Sequence, residues 1–174
     1  MPCLLTSGYN FAGCKGGAGG ISEVLITEID NLTSSTLTAN VYTALTMSTG
    51  KQFRRYILDS EMGSWSDNGT YTKESGTYTY EPTVSFTIKG ISTALQAELK
   101  LIAQNTLILI VKDRNGVYRL FGREKGMDLM TVESTVGKAM TDFAGFNLNF
   151  VGGEIDFAHE VQTSLITALL SPAA

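Results

Sequence analysis

His159, the one histidine, and Cys3 and Cys14, the two cysteines, are the residue types best suited to bind a metal or activate a nucleophile. With Cys3 and Cys14 far from His159 in sequence, a zinc site would require unusual spacing and a fourth ligand. Nothing in the sequence pairs His159 with a nucleophile, so it reads as a solvated or tail-packing side chain. Asp113 and Asn115 begin like a calcium loop, but the third acidic or amide position and the closing glutamate are missing. They read as turn residues. Residues 8–20, GYNFAGCKGGAGG, space Gly8 and Gly13 as a phosphate-binding loop does. However, Cys14 displaces the lysine, Gly16 follows Lys15 instead of Ser or Thr, and no strand precedes. That segment is expected to be a flexible arm or a turn-rich packing piece. Arg54, Arg55, Arg119 and Arg123, interleaved with Phe53, Tyr56 and Tyr118, could form a patch that contacts nucleic acid. Pairing with Glu124, Asp113 and Asp128 is the ordinary surface alternative. Carboxylates are plentiful, yet spacing singles out no acid–base pair. The expectation is a protein without catalytic residues, cofactor or metal.

With chemistry this sparse, the elements carry the argument. The chain of 174 residues is long enough for one domain with a real core. Charged residues are 17% of it, against about 25% in ordinary soluble domains. Thr, Ser, Tyr and Gly fill the deficit. That composition fits strands and turns, and it also fits a surface covered by partner subunits. A net charge of −4 argues against a protein held on nucleic acid by a basic face. It is compatible with a surface past which nucleic acid slides without sticking. The N-terminus shows no basic or apolar signal region, and no apolar run approaches the ~20 residues of a membrane span. The cysteines are therefore expected as reduced thiols in a cytoplasmic product, and the Asn-X-Thr triplets at Asn31 and Asn68 as incidental.

The strongest local signal is Leu107–Gly122. Leu107 to Val111 is a short run rich in Ile and Val, which suits a strand buried on both faces. Asp113-Arg114-Asn115-Gly116 then predicts a tight hairpin, with Val117–Phe121 as the return strand. Upstream, Ile21–Asp30 reads as a strand, Asn31–Ser35 as a break, and Thr36–Met47 as a looser strand with Leu37, Ala39, Val41 and Thr43 on one side. From Lys51 a meander is expected: one strand at Phe53–Leu58, then two segments around an Asn68-Gly69 turn. Thr77–Tyr80 and Thr83–Lys89 follow on either side of Pro82, which marks an edge, bulge or bend. Leu95, Leu99 and Ile102 predict one principal helix at about residues 92–104, capped through Thr93 and Gln96. Met127–Glu133 is a further strand, Thr135–Asp142 a loop, and Ala144-Gly145 a turn before the alternating strand Phe146–Phe150. From Ile155 the pattern fits helix and strand equally.

Two segments then resemble a known family. SGYNFAGCKGGAGGISEVLITEIDNL is similar to the opening of small structural proteins from tailed phages of Bacteroidetes. LILIVKDRNGVYRLFGREKGMDL, followed by GKAMTDFAGFNLNF, is similar to their central and C-terminal pattern, including a loop with Gly137, Asp142 and Gly145. The order of meander, helix, hairpin and last strands resembles tail tube proteins. The resemblance implies a mainly β, antiparallel sandwich or barrel with one flanking helix. It also implies stacked hexameric rings, a lumen through which DNA passes unbound, and no catalytic residues. Neck, connector and capsid-decorating proteins are the virion alternatives, and a non-viral β-barrel ligand-binding module is the alternative outside virions.

On that reading residues 1–20 form a glycine-rich arm, 21–154 a single β-rich domain and 155–174 a tail or arm. Tyr9, Phe11, Phe157, Val161 and Leu165 are the candidate contacts to neighbouring subunits. The candidate lumen wall is Thr70, Thr72, Glu74, Thr77, Thr79, Glu81, Thr83, Ser85 and Thr87. Ser64, Ser66 and Asp67 are expected to extend it. The expected partners are further copies of the chain, other tail or neck proteins and DNA in transit, in a virion assembled from subunits made in the host cytoplasm.

Overall fold

Leu107–Asp113 forms a strand whose first five residues are all buried, as a run without polar alternation requires. It is β7 of a computed structural model that describes residues 17–171. Tyr9, Phe11, Cys3 and Cys14 lie outside the described residues. The elements are β1 (Ile21–Glu28), β2 (Leu32–Thr38), β3 (Val41–Met47), β4 (Arg54–Ile57), β5 (Gly63–Thr72), β6 (Thr77–Lys89), α1 (Thr93–Gln104), β7, β8 (Tyr118–Phe121), β9 (Met127–Val136), β10 (Ala144–Gly152), β11 (Glu160–Val161) and α2 (Thr163–Leu169). The protein is mainly β, with one mixed sheet in the order β2-β3-β11-β8-β7-β9-β10-β6-β5; β1 joins β7, and β4 joins β1. Every pairing is antiparallel except β3 with β11, which is parallel.

Two apolar clusters hold the sheet. The first joins Val24 and Ile26 of β1 and Leu109 and Val111 of β7 to Val84 and Phe86 of β6, Leu148 and Phe150 of β10, and Leu99 and Ile102 of α1. The second lies around Leu25, Ile108 and Ile110 and takes in Tyr42, Phe53, Val161, Ile166 and Leu169. Successive residues of β1 and β7 thus face different clusters, which is why neither strand tolerates polar alternation. β7 meets β9 only at Leu107–Met127, so β9, β10, β6 and β5 form a nearly separate four-stranded part.

The hairpin at Asp113 forms as expected, but by a different turn. Gly116 alone takes a positive φ, +86°, and Asp113 exchanges backbone bonds with Gly116 (3.1 Å) and Val117 (3.0 Å). This is a three-residue loop with glycine in the left-handed position, not a two-residue Asn-Gly turn. Asp113 Oδ1 accepts from the Asn115 and Val117 N–H groups, both at 2.9 Å. Asn115 exchanges two bonds with the Ala18 backbone, at 2.9 and 3.0 Å. Both side chains are therefore turn residues.

Other boundaries are corrected. Ala39 and Asn40 are not strand; both have positive φ and turn β2 back into β3. β4 pairs with β1 rather than opening a meander into β5. β5 runs straight through Asn68-Gly69, and the chain turns at residues 73–76, where the Gly76 N–H bonds the Thr72 carbonyl at 2.9 Å. Gly69 is glycine for room: a Cβ there would meet the Tyr78 ring at 2.6 Å. β6 is one strand through Pro82, whose missing N–H falls where the β10 ladder ends at Thr83–Val151 before resuming at Tyr80–Glu154. Ala144-Gly145 begins β10 instead of forming a turn. In α1 the cap is Ser92, whose side chain accepts from the Leu95 N–H at 3.2 Å; Leu99 and Ile102 are buried.

The segment expected as a separate tail supplies β11 and α2. Val161 is buried in the second cluster and Leu165 is half-buried against it. Both are engaged by this chain's own core, because β11 fills the gap between β3 and β8. Phe157 is exposed, with its ring 4.2 Å from Tyr80.

Candidate functional site

Side chains alternate across a strand, so the registers of β5, β6, β10 and β9 decide which residues share a face. Ser64, Ser66, Asn68, Thr70 and Thr72 of β5 stand opposite Ser85, Thr83, Glu81, Thr79 and Thr77 of β6. Across the other side of β6, Thr87 and Ser85 stand opposite Asn147 and Asn149 of β10, which stand opposite Glu133 and Thr131 of β9. The result is one continuous face of hydroxyls and amides over four strands. Two of its rungs are closed by side chains: Ser85 Oγ donates to Asn149 Oδ1 at 2.7 Å, and Thr87 Oγ1 to Asn147 Oδ1 at 2.9 Å. On the reverse face Trp65, Val84, Phe86, Ile88, Phe146, Leu148 and Phe150 pack into the first cluster.

All the proposed wall residues except Glu74 and Asp67 lie on this face. Glu74 sits in the turn at the hairpin tip. Asp67 is on the reverse side, where its carboxylate accepts from the Ala158 N–H at 2.9 Å. The face is wider than the sequence reading made it. Asn147, Asn149, Thr131, Glu133 and Thr135 belong to it as well. The alternation Phe146-Asn147-Leu148-Asn149-Phe150 held that information, but the pairing of β10 with β6 is a long-range fact that alternation does not contain. Beyond the core, the reverse face of the β5–β6 hairpin carries Tyr71, Tyr78 and Tyr80 in ring contact, with centroids 6.4 and 5.1 Å apart.

The arginines do not gather into a patch. Arg55 bonds the buried Glu23, Arg119 lies over the Trp65 ring at 5.6 Å, and Arg123 Nε donates to Ser35 Oγ at 2.8 Å. Glu23 also accepts from the Tyr118 hydroxyl at 2.6 Å and faces the Lys112 ammonium at 3.6 Å. Burial pushes its pKa up, but the Tyr118 and Arg55 hydrogen bonds and the Lys112 charge outweigh this and hold it below the usual carboxylate value. Glu154 is the opposite case. Burial raises its pKa, although the Glu124 and Lys125 N–H groups bond it at 3.1 and 3.2 Å.

His159 packs against the body, with Nε2 3.2 Å from Asp156 Oδ2 and its ring edge-on to Tyr42. Among the described residues, no three His, Cys, Asp or Glu side chains are grouped to hold a metal, and no helix is long and apolar enough to cross a membrane. In comparisons with family models, curated proteins and solved structures, nothing matches this chain.

Proposed function

We propose that the chain is a structural protein of a tailed-phage virion, a tail tube subunit whose copies close into stacked rings, with the four-stranded polar face lining the DNA channel. One observation supports this above the others. The four-stranded part is apolar behind and hydroxylated in front, and both of its outer strands have a free side. Among the described residues β5 pairs only with β6, and β9 beyond its contact with β7 pairs only with β10. The outer strands are of equal length, ten residues each, and run antiparallel to one another. Head-to-tail copies therefore continue an antiparallel sheet, and closure removes both free edges of this four-stranded part. The middle of β5, at Asn68, lies opposite Glu81, whereas the middle of β9, at Thr131, lies through Asn149 level with Ser85. An offset of this kind between the two edges is what tilted strands in a closed barrel need.

The wall so formed carries few charges, mainly Glu81 and Glu133, among hydroxyls and amides. It stays wetted and weakly repels phosphate, so DNA passes without being held. The subunit's partners on this reading are its own copies, the tail or neck proteins at the ends of the stack, and DNA in transit. The test is electron cryomicroscopy of purified assemblies. Rings with Thr79, Thr83 and Asn149 facing the lumen are expected. Rings with those residues outside, or a chain that stays monomeric at every concentration, overturn the proposal.

A further inference from the structure

Two features meet at one face of the β5–β6 hairpin. The first is a row of rings. The outer half of the hairpin stands beyond both apolar clusters, and its reverse face carries Tyr71 and Tyr78, exposed and in ring contact. Tyr80 continues the row, and the exposed Phe157 closes it against Tyr80. A two-stranded ribbon without a packed face is marginal in water, and a contiguous exposed row of rings marks an interaction surface. The second feature is where the described residues begin. Ala18 is held to the β7–β8 hairpin by its two bonds with Asn115, and Ala18, Gly19 and Gly20 line one cleft with Ser64 and Trp65 of β5. The chain therefore enters beside Trp65. Trp65 and Tyr71 lie on the same face of β5, because six residues of strand separate them.

We infer that the segment around Tyr9 and Phe11 lies back along this face of its own chain's hairpin and packs its rings on Tyr71, Tyr78 and Phe157. Reach fits. Trp65 to Tyr71 spans about 20 Å of strand, and the seven residues from Ala18 back to Phe11 extend to about 24 Å. Tyr9, two residues further, reaches the hairpin tip. Chemistry fits as well. In Gly8-Tyr9-Asn10-Phe11-Ala12 the two rings stand at alternate positions, so an extended chain turns both to one side. Residues 8–16 carry no carboxylate and a single cation, Lys15, so rings and small side chains make up nearly all that they can offer a partner. Rings pack on rings edge-on or offset, as Tyr78, Tyr80 and Phe157 already do among themselves. No second copy is required, because the tether at Ala18 holds the segment near the face at an effective concentration on the order of millimolar. The free edge of β5 lies in the plane of the sheet and is left open by a segment on its face. The inference thus stands apart from the ring reading.

The test uses the full chain with Cys3→Ser and Cys14→Ser. Ala12→Cys is combined either with Tyr71→Cys on the ring-bearing face or with Thr70→Cys on the opposite one, and both are oxidised and run on a denaturing gel. An internal disulfide, seen as a faster monomer band, is expected to form with Tyr71→Cys at least about tenfold faster than with Thr70→Cys. A double-mutant cycle in the otherwise native chain supplies the second readout. Phe11→Ala and Tyr71→Ala should each lower the melting midpoint by about 2–4 °C, and the double variant by little more than either. Equal rates in the two cysteine pairs, disulfide-linked dimers in place of the internal bond, or a melt unmoved by Phe11→Ala overturn the inference. None of these outcomes bears on whether the chain closes into rings.

Discussion

Glu23 carries a charge among buried neighbours, and three partners from three other strands, Arg55 of β4, Lys112 of β7 and Tyr118 of β8, keep it ionised there. Its lowered pKa fixes the sign of a pH effect. Its contribution to stability is present above the ordinary carboxylate value and is lost as pH falls through the lowered folded value. Glu154, with a raised pKa, contributes oppositely: its share is present below the ordinary value and lost as pH rises through the folded one. Urea titrations at several pH values should therefore show the acid-side loss of stability reduced in Glu23→Gln, and in Glu154→Gln a reduced loss as pH rises from the ordinary carboxylate value through the raised folded one. At pH 7, Glu23→Gln should cost about 2 kcal/mol, less than a fully buried pair, because Arg55 and Lys112 reach water. Gly116→Val should cost about 1–2 kcal/mol, since no atom lies within 4 Å and only the φ of +86° opposes it. Gly116→Asn should recover most of that loss in the same denaturation assay. If valine is tolerated as well as asparagine, the left-handed position is not strained.

Elements were legible where local pattern and burial agree. β1, β7 and β10 declare themselves by apolar runs or strict alternation, and α1 by its stripe. Leu99→Asp should accordingly unfold the chain or cost at least about 3 kcal/mol, because it places a carboxylate in the first cluster without a partner. Ser92→Ala should cost about 1 kcal/mol through the lost cap, and Thr93→Ala close to nothing, by thermal melts. What pattern did not reveal has a physical reason in each case. Asn68-Gly69 has the composition of a turn, but its glycine makes room for a cross-strand tyrosine. Pro82 lacks a donor, but only on a side where the ladder is already interrupted. Ala39-Asn40 turns without a glycine; Asn40 suits the left-handed position, but the alternation of Leu37, Ala39, Val41 and Thr43 reads as continuous strand. The polar face was half visible, through the threonines of β5 and β6. Its β10 and β9 half depends on which strands become neighbours, a matter of tertiary pairing.

At the scale of the molecule, the proposed channel lining predicts a gain of function. Thr79→Lys with Thr83→Lys adds two cations per subunit to one face and should leave folding unchanged, since Thr79 is exposed and Thr83 half-exposed. Assemblies of this variant should retain short duplex DNA in a gel-shift at 50 mM salt and release it as salt rises, whereas the native assembly retains none. Equal retention by both would place these threonines away from the DNA path. A different consequence belongs to β11. The β2–β3 hairpin has one strand pairing to the rest of the sheet, and that pairing is to β11, two residues near the far end of the described chain. During synthesis the hairpin emerges early yet has no berth until residues 160–161 arrive, more than a hundred residues later. At 5–20 residues per second that is several seconds of waiting. Completion of the body thus waits for β11, and a chain stalled before residue 160 carries a loose hairpin and an open second cluster.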